Sequence, residues 1–411
     1  MKILVNCFAC SPYRGSEPGM GWNFVSNLSR LHELHVITEY ESQPDLERYF
    51  KEHPEARGNI RVYYIGQPSH PTLRMIWPPS YYWFYKKWQK KTLALAKELD
   101  RKEHFDLVHQ LNMIGYREPG YLWKMDKPLV WGPVGGFQMT PWKLLPSMGL
   151  KGLVFYASRN LINWWQMRFN RRVRTMAKKS SFIICATQDG YRAVTELWHR
   201  QTIIMPEVGL TAMPKNLALP KEDGKLHLCW SGLHEPRKSL NLLLEAISYC
   251  RNKENLEVNV VGDGPSNRKW KRLAARLGLE SVKWHGWVTR DESLRLMQSS
   301  HAFVITSLCD DTTTVVLEAL SMGVPVIALN HTGFANVLTE ECGIKIDIHS
   351  HRQVVRDLAA AIDRLYEDKP YRLSLELGAP KRAQDFTWDK KVQAIDSIYR
   401  QISNKQHSTY A

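Results

Sequence analysis

Two carboxylates, Asp310 and Glu318, stand eight positions apart in a stretch whose pattern is strand, loop, helix and strand. Residues 302–305 are an apolar run typical of a buried parallel strand, and residues 315–322 have the apolar spacing of a helix. A second apolar strand, residues 324–329, follows a glycine. Ligands of open α/β sheets bind at the carboxyl ends of strands. Two acids at such an edge favour a ligand rich in hydroxyl groups, such as a ribose and a hexose.

Two adjacent cations, Arg237 and Lys238, occupy a loop between an apolar strand over residues 226–230 and a leucine-rich helix. Two adjacent cations at such a position could bind an anionic ligand. A surface charge pair is the alternative.

The amino terminus combines a predicted strand, residues 2–9, with a glycine-rich loop and a helix predicted over residues 23–31. This arrangement can cradle an anion or let a ligand approach the backbone closely. The glycine spacing does not fit the GxGxxG pattern of dinucleotide-binding proteins. Four candidate binding residues lie in this loop: Gly15, Glu17, Gly19 and Gly21.

The length of 411 residues allows two domains, and 44% apolar with 24% charged residues is typical of a globular protein. No apolar run reaches the roughly 18–20 residues that a membrane-crossing helix needs. The first residues resemble a strand rather than a signal peptide. Seven cysteines, an odd and scattered set, predict reduced thiols and a cytoplasmic location.

The net charge of +15 is unevenly distributed, because the 62 residues between Asp126 and Asp189 contain ten Lys or Arg and no acid. Segment 143–179 adds five aromatic residues, and segment 75–91 interleaves seven aromatic residues with four lysines. Both patterns suit contact with an anionic membrane. The alternative for segment 75–91 is a core helix with a solvated lysine face. No nucleic-acid-binding motif accompanies the charge, so no nucleic-acid partner is predicted.

Several of these motifs resemble those of the retaining glycosyltransferases of family 4. Leu317-Glu318-Ala319 and the run from Gly323 to Ala328 match the family's LEAxxxGxPVIA signature position by position. Asp310 replaces the usual first Glu of this motif, and Asp311 and Thr313 stand where glycines are common.

Other elements of the chain match the same family more loosely. SGLHEPRK resembles its phosphate-binding loop, with Lys238 on the family lysine, Leu233 in place of the family arginine, and Arg237 as a substitute. GDGP at 262–265 and GWV at 286–288 resemble two of its strand-end turns, and SEPGMGW its amino-terminal glycine loop.

The resemblance implies the GT-B fold, an α/β architecture of two Rossmann-like, doubly wound parallel-sheet domains that face a cleft. Residues 1–205 would bind the acceptor, with the helix at about 388–411 packing back on them. Residues 206–387 would bind a UDP- or GDP-linked sugar, and the family chemistry requires no metal.

The resemblance also assigns roles to individual residues. Glu318 would bond the ribose, Asp310 the transferred sugar, and Arg237 with Lys238 the diphosphate. His109 would have a catalytic role in the acceptor half. The further donor-binding candidates are Thr312, Thr313, Thr314, Gly232, Gly262, Trp287 and Val288.

The predicted function is transfer of a hexose from a nucleotide sugar to a glycan or lipid-linked acceptor, in cell-envelope, exopolysaccharide or lipopolysaccharide biosynthesis. The predicted location is the cytoplasm, with peripheral contact on the inner face of the cytoplasmic membrane. Alternatives are another nucleotide-sugar activity, such as epimerisation or phosphorolysis, and a binding protein that has lost catalysis.

Overall fold

The computed structural model describes residues 1–67, 79–111, 115–214, 223–312 and 314–407. The chain forms two compact units. Unit 1 consists of Met1–Phe137, Trp164–Glu207 and Trp388–Ala411, and unit 2 of Gln138–Asn163 and Val208–Thr387. Residues 138–163 thus belong to unit 2, although they precede the predicted boundary at 205/206. The acceptor and donor roles of the two domains stay predictions.

Unit 1 contains a seven-stranded parallel sheet in the order β3-β2-β1-β4-β5-β6-β7. The strands are β1 (Lys2–Cys7), β2 (Glu33–Glu39), β3 (Ile60–Ile65), β4 (Leu107–Leu111), β5 (Leu129–Val134), β6 (Phe182–Cys185) and β7 (Thr202–Ile204).

Unit 2 contains a six-stranded parallel sheet in the order β10-β9-β8-β11-β12-β13. The strands are β8 (Leu226–Ser231), β9 (Leu256–Val261), β10 (Val282–Gly286), β11 (Ala302–Ile305), β12 (Val326–Leu329) and β13 (Gly343–Ile346). The strand order reverses between β8 and β11, and ligands of open α/β sheets bind at such a switch point. The prediction of two Rossmann-like parallel sheets is confirmed.

Helices connect the strands of both sheets. They are α1 (Ser16–Leu28), α2 (Gln43–Glu52), α3 (Pro79–Glu103), α4 (Gly149–Phe169), α5 (Arg171–Lys179), α6 (Gln188–Arg192), α7 (Leu240–Tyr249), α8 (Asn267–Arg276), α9 (Arg290–Gln298), α10 (Thr314–Ser321), α11 (Phe334–Val337), α12 (His351–Glu367), α13 (Lys369–Ala383) and α14 (Trp388–His407). Among the described residues, none of these helices combines the length and the apolar character needed to cross a membrane.

Helix α1 begins earlier than the sequence pattern predicts. It starts at Ser16 rather than Asn23, so most of the predicted glycine loop is helical. Pro18 fits this first turn because the N–H that proline lacks would have no partner inside the helix. Gly19 is required there, since an added Cβ would lie 2.5 Å from the Arg14 carbonyl oxygen. The helix buries Trp22 and other apolar side chains in the core of unit 1.

Helix α3 contains the described part of the aromatic segment 75–91, and three of the segment's aromatic side chains are buried in the core. Phe84, Tyr85 and Trp88 are buried, and the Trp88 ring lies 4.9 Å from the Phe8 ring. Trp83 is half exposed beneath the Lys87 ammonium group. Residues 75–78 lie outside the described residues. For residues 79–91 the core-helix alternative is therefore the one that the structure supports.

His109 lies on β4 and is completely buried in unit 1. Its Nδ1 bonds the hydroxyl group of Tyr399 on α14, and its Nε2 lies 2.7 Å from the Gly132 carbonyl oxygen. Burial lowers the pKa of His109 from 6.5 to about 4. Both ring nitrogens thus hold elements of unit 1 together, while the predicted catalytic role of His109 stays a prediction.

The ends of β8, β9 and β10 approach each other closely through glycines. The Gly232 N–H bonds the Val261 carbonyl oxygen, and the Gly262 N–H bonds the Gly286 carbonyl oxygen at 2.8 Å. Gly262 has φ +111°, and an added Cβ would lie 2.1 Å from the Gly232 carbonyl oxygen. No other residue type fits this crossing without moving the backbone.

Replacing His109 should reduce the acid sensitivity of folding. Because its pKa is lower in the folded state than in the unfolded state, His109 contributes stability above pH 6.5, and this contribution is lost as pH falls toward 4. The His109→Gln variant should therefore lose about 2 kcal/mol of the pH dependence of unfolding between pH 7 and pH 5. Urea denaturation at both pH values measures this. His349→Gln, at an exposed position, is the control, and equal pH dependence in wild type and His109→Gln would contradict the prediction.

The Gly262→Ala substitution should destabilise unit 2 by about 3 kcal/mol or more, because the methyl group meets a backbone carbonyl. Gly278 is a matched control, since it also has a positive φ, +64°, but nothing lies within 4 Å of an added Cβ. Gly278→Ala should cost about 1 kcal/mol, the strain of the left-handed conformation alone. Urea denaturation compares the two variants, and similar costs would show that the close crossing is unimportant.

Candidate functional site

The candidate site of unit 2 is formed by the loops that follow β8 and β11, at the switch point of the sheet. Backbone and side-chain bonds join these two loops. The Leu308 N–H donates to the Arg237 carbonyl oxygen at 2.8 Å, and the Thr306 hydroxyl donates to the Lys238 carbonyl oxygen at 2.7 Å. The indole N–H of Trp230 donates to the same threonine hydroxyl at 3.1 Å. The backbone that carries both predicted cations is therefore fixed to the loop that carries Asp310.

Asp310 binds both predicted cations. Its carboxylate accepts from the Lys238 ammonium group at 2.5 Å and forms an ion pair with the Arg237 guanidinium group. The Ser307 hydroxyl donates to the same carboxylate at 2.7 Å. Asp310 is buried, with 8% of its surface exposed. The structure thus brings together three residues that the sequence places 72 and 73 positions apart.

Opposing effects determine the charge of this cluster. Burial alone would raise the pKa of Asp310, but Lys238 and Arg237 lower it below its usual value. Burial opposes the charge of Arg237 as well, yet Asp310 and Glu235 raise the pKa of its guanidinium group. Each charge is therefore stabilised by its partners inside a poorly solvated environment.

The two cations keep the capacity to bind a further anion. A guanidinium group has five N–H donors, and here Arg237 uses Nε toward Glu235, at 2.8 Å, and Nη1 toward Asp310. An ammonium group has three donors, of which one is directed at Asp310. A phosphate oxygen at this edge of the sheet could therefore accept hydrogen bonds while Asp310 stays paired.

Glu318 lies on α10 and is also buried and paired. It has 9% exposed surface and forms an ion pair with Arg290, the first residue of α9. The sequence gives no sign of this pairing, because the two residues are 28 positions apart on different helices. Thr289 is followed three positions later by the acid Glu292, a pattern that predicts the start of a helix. The Thr289 hydroxyl accepts from the Glu292 N–H and so caps α9. That pattern predicts the helix but not the partner of its first residue.

The remaining donor-binding candidates lie at the ends of strands and helices in unit 2. Gly232 and Gly262 form the close crossing described above. Trp287 follows Gly286, where φ is +67°, and exposes 70% of its surface, while Val288 is half-buried.

The three threonines of the acidic loop differ in placement. Thr312 is buried, and Thr314 is the exposed first residue of α10. Thr313 lies outside the described residues.

The candidates of unit 1 surround the start of α1. Gly15 caps this helix, and Glu17, Gly19 and Gly21 lie within its first turns. The predicted loop conformation of these three residues is wrong. Burial raises the pKa of Glu17 to about 7, a value that suits proton transfer near neutral pH. The predicted acceptor role of this region stays a prediction.

One group in the described part of the chain has the spacing of a metal site. Ligand atoms of Glu33, His35 and Glu103, in unit 1, lie within 4.8 Å of one another. The same carboxylates form ion pairs with Lys2 and Arg61. These cations neutralise the two carboxylates, so we interpret the group as a salt-bridge network rather than a metal site.

Comparison with known proteins supports the fold and the family of unit 2. The family model for glycosyl transferases group 1 matches residues 224–368, which include Arg237, Lys238, Asp310 and Glu318. A D-inositol 3-phosphate glycosyltransferase of Salinispora arenicola is 29% identical over 198 residues, 45% of this chain and 43% of that protein. The matched region thus spans less than half the length of this curated relative.

Two solved structures resemble the whole chain in fold. HepE of Anabaena, in complex with UDP, has a TM-score of 0.62 and 17% identity over 98% of this chain and 100% of that chain. Sucrose-phosphate synthase of Thermosynechococcus elongatus has a TM-score of 0.67 and 16% identity over 98% of both chains. Residues 224–368 therefore match the glycosyl transferases group 1 family, and the chain has the GT-B fold with two Rossmann-like domains.

Proposed function

We propose that this protein is a retaining glycosyltransferase that moves a hexose from a nucleotide-sugar donor to a glycan or lipid-linked acceptor. The observation that carries the proposal is the cluster of Arg237, Lys238 and Asp310 at the switch point of the unit 2 sheet. It lies within the region that matches the glycosyl transferases group 1 model.

The proposed reaction exchanges one bond at the anomeric carbon of the hexose for another. The bond between this carbon and the phosphate oxygen breaks, and the nucleotide diphosphate leaves with the electron pair. The acceptor oxygen bonds the same carbon, and its proton passes to the leaving phosphate or to solvent. Retention of configuration is part of the proposal and rests on the family resemblance.

Each residue of the cluster has a physical role in this reaction. Arg237 and Lys238 neutralise the charge that develops on the departing diphosphate. Asp310 accepts hydrogen bonds from hydroxyl groups of the transferred sugar while it holds both cations in place. Glu318 accepts hydrogen bonds from the ribose, and the amino end of α10 adds a positive dipole to the same edge of the sheet.

The donor is proposed to be UDP- or GDP-linked, and UDP is the first nucleotide to test because HepE was solved in complex with it. The reaction is proposed to need no metal, since two cations and a helix dipole supply the positive charge. Predicted roles in cell-envelope, exopolysaccharide or lipopolysaccharide biosynthesis, and the cytoplasmic location, belong to this proposal. A lipid-linked acceptor would require contact with the membrane.

A binding protein without turnover is the second candidate. Leu233 stands where the resembling family has an arginine, and Asp310 is tied to both remaining cations. These features would suit a site that retains the nucleotide sugar but does not cleave it.

Donor binding should depend on Glu318. A nucleotide sugar at a hundredfold excess over its Kd should stabilise the protein by about 2.7 kcal/mol and raise its Tm. A panel of UDP-, GDP- and ADP-glucose without metal should show this rise for one nucleotide. The Glu318→Gln variant should bind that donor about tenfold to hundredfold more weakly, because a charged hydrogen bond is lost.

The control for this measurement is Glu340→Gln, an exposed carboxylate of the same unit. It should show the wild-type rise in Tm. The ribose role of Glu318 would be rejected if Glu318→Gln responded to the donor as strongly as wild type. No response of the wild type to any of the three would reject a donor site for these nucleotides.

Turnover should depend on Lys238. Removing one preorganised donor to a developing oxyanion typically lowers kcat by about 10²–10³-fold, and Lys238→Ala should do the same. The rate of nucleotide release from the donor measures this. Lys225→Ala, at an exposed position outside the cluster, should release nucleotide at the wild-type rate.

The products distinguish the candidate functions. Release of nucleotide that Lys238→Ala slows supports glycosyl transfer. Phosphate-dependent release of a sugar phosphate would indicate phosphorolysis, and conversion of the sugar without nucleotide release would indicate epimerisation. Binding without any product would favour the binding protein.

A further inference from the structure

Helix α4 exposes a broad apolar surface to solvent, while its inner face carries two buried asparagines beside apolar side chains. Leu150, Leu161 and Trp165 expose 79%, 61% and 56% of their surfaces. Asn160 and Asn163, by contrast, are completely buried. A surface helix normally places its apolar residues toward the core.

The exposed apolar residues form one continuous face. With 3.6 residues per turn, the exposed positions lie on one side of the helix along its whole length. The apolar members of this outer face are Leu150, Val154, Phe155, Leu161, Ile162, Trp164, Trp165 and Phe169. All eight residues belong to α4, so the outer face consists of side chains of this helix alone.

The inner face is held to the protein by specific hydrogen bonds. The Asn160 side chain accepts from the Thr140 N–H at 2.9 Å and donates to the Thr140 carbonyl oxygen at 2.7 Å. The Asn163 side chain donates to the Gln138 carbonyl oxygen at 3.3 Å. These bonds fix the rotation of α4, so the outer face cannot turn inward without leaving buried amides unpaired.

The charge of this region favours an anionic occupant for the outer face. The helix contains four apolar aromatic side chains on this face but no acid, and the acid-free stretch extends from residue 127 to residue 188. Lys151 is exposed on the same face, and the Arg168 guanidinium lies over the Trp164 ring at 4.6 Å. A second copy of this face would bring like charges together, whereas anionic lipids would neutralise them.

We infer that the outer face of α4 binds the surface of an anionic lipid bilayer, with its aliphatic and aromatic side chains inserted at the level of the headgroups. Aromatic residues and basic side chains on one helix face are suited to this interfacial position. The helix would lie on the membrane rather than span it. The inference deepens the proposed function. It rests on that function only in one respect, because a lipid-linked acceptor would give the enzyme a reason to approach a membrane.

Vesicle flotation tests the inference on the full chain. Wild type should float with vesicles of phosphatidylglycerol and phosphatidylcholine at low salt, and less with phosphatidylcholine alone or at high salt. The double variant Leu161→Glu/Trp165→Glu should partition into the mixed vesicles at least about tenfold more weakly. Leu377→Glu is the matched control, because Leu377 is 65% exposed on α13, outside the outer face, and it should float like wild type.

Two results would overturn the inference. The first is that the wild type does not float with either vesicle. If light scattering then shows a dimer that the double variant abolishes, a second copy of the chain covers the outer face instead. The other is equal flotation of wild type and double variant. The rise in Tm with a nucleotide sugar is measured in parallel. Flotation without any such rise would reject the donor site for the tested nucleotides and support the membrane surface. A rise without flotation would support the donor site and overturn the membrane surface.

Discussion

The candidate site depends on keeping one buried carboxylate ionised. Asp310 is removed from water, and its negative charge is stable there because Arg237, Lys238 and Ser307 all bind it. Removing one partner from such a buried pair typically costs about 3–5 kcal/mol, since an uncompensated charge remains. The same ion pairs join the loop after β8 to the loop after β11. Charge neutralisation and loop geometry are therefore a single constraint at the switch point of the sheet.

The close crossing of Gly232 and Gly262 supports this arrangement from the neighbouring strands. It allows the ends of β8 and β9 to approach within backbone contact, which places the adjacent loops at the same edge of the sheet. The region that matches the glycosyl transferases group 1 model includes this crossing and the charged cluster. The donor half of the proposed reaction thus rests on residues inside the family match, and the acceptor half rests on unit 1, outside it.

Helices α3 and α4 show that similar composition does not predict similar placement. Both combine aromatic residues with several basic residues, and both suggest a membrane surface from sequence alone. In α3 the rings of Phe84, Tyr85 and Trp88 are buried in the protein. In α4 eight aromatic and aliphatic side chains are exposed, while the buried side carries Asn160 and Asn163 beside Met167. The difference lies in which face each helix turns toward the core, and composition does not carry that information.

The sequence by itself determined three strands of unit 2, near residues 226–230, 302–305 and 324–329, and the residue types of the charged cluster. The two Rossmann-like sheets followed from the family resemblance of its motifs. Runs such as residues 302–305 are apolar because a parallel strand is buried on both faces. Such strands can therefore be predicted from the local sequence alone. The start of α1 was mispredicted, because Gly19 reads as a loop residue until the Arg14 carbonyl that requires it is seen. Only the tertiary structure decided that Arg290 pairs with Glu318 and that His109 bonds Tyr399. Such contacts join residues far apart in the chain, and their energy depends on distance and burial in three dimensions, which no local pattern of residue types records.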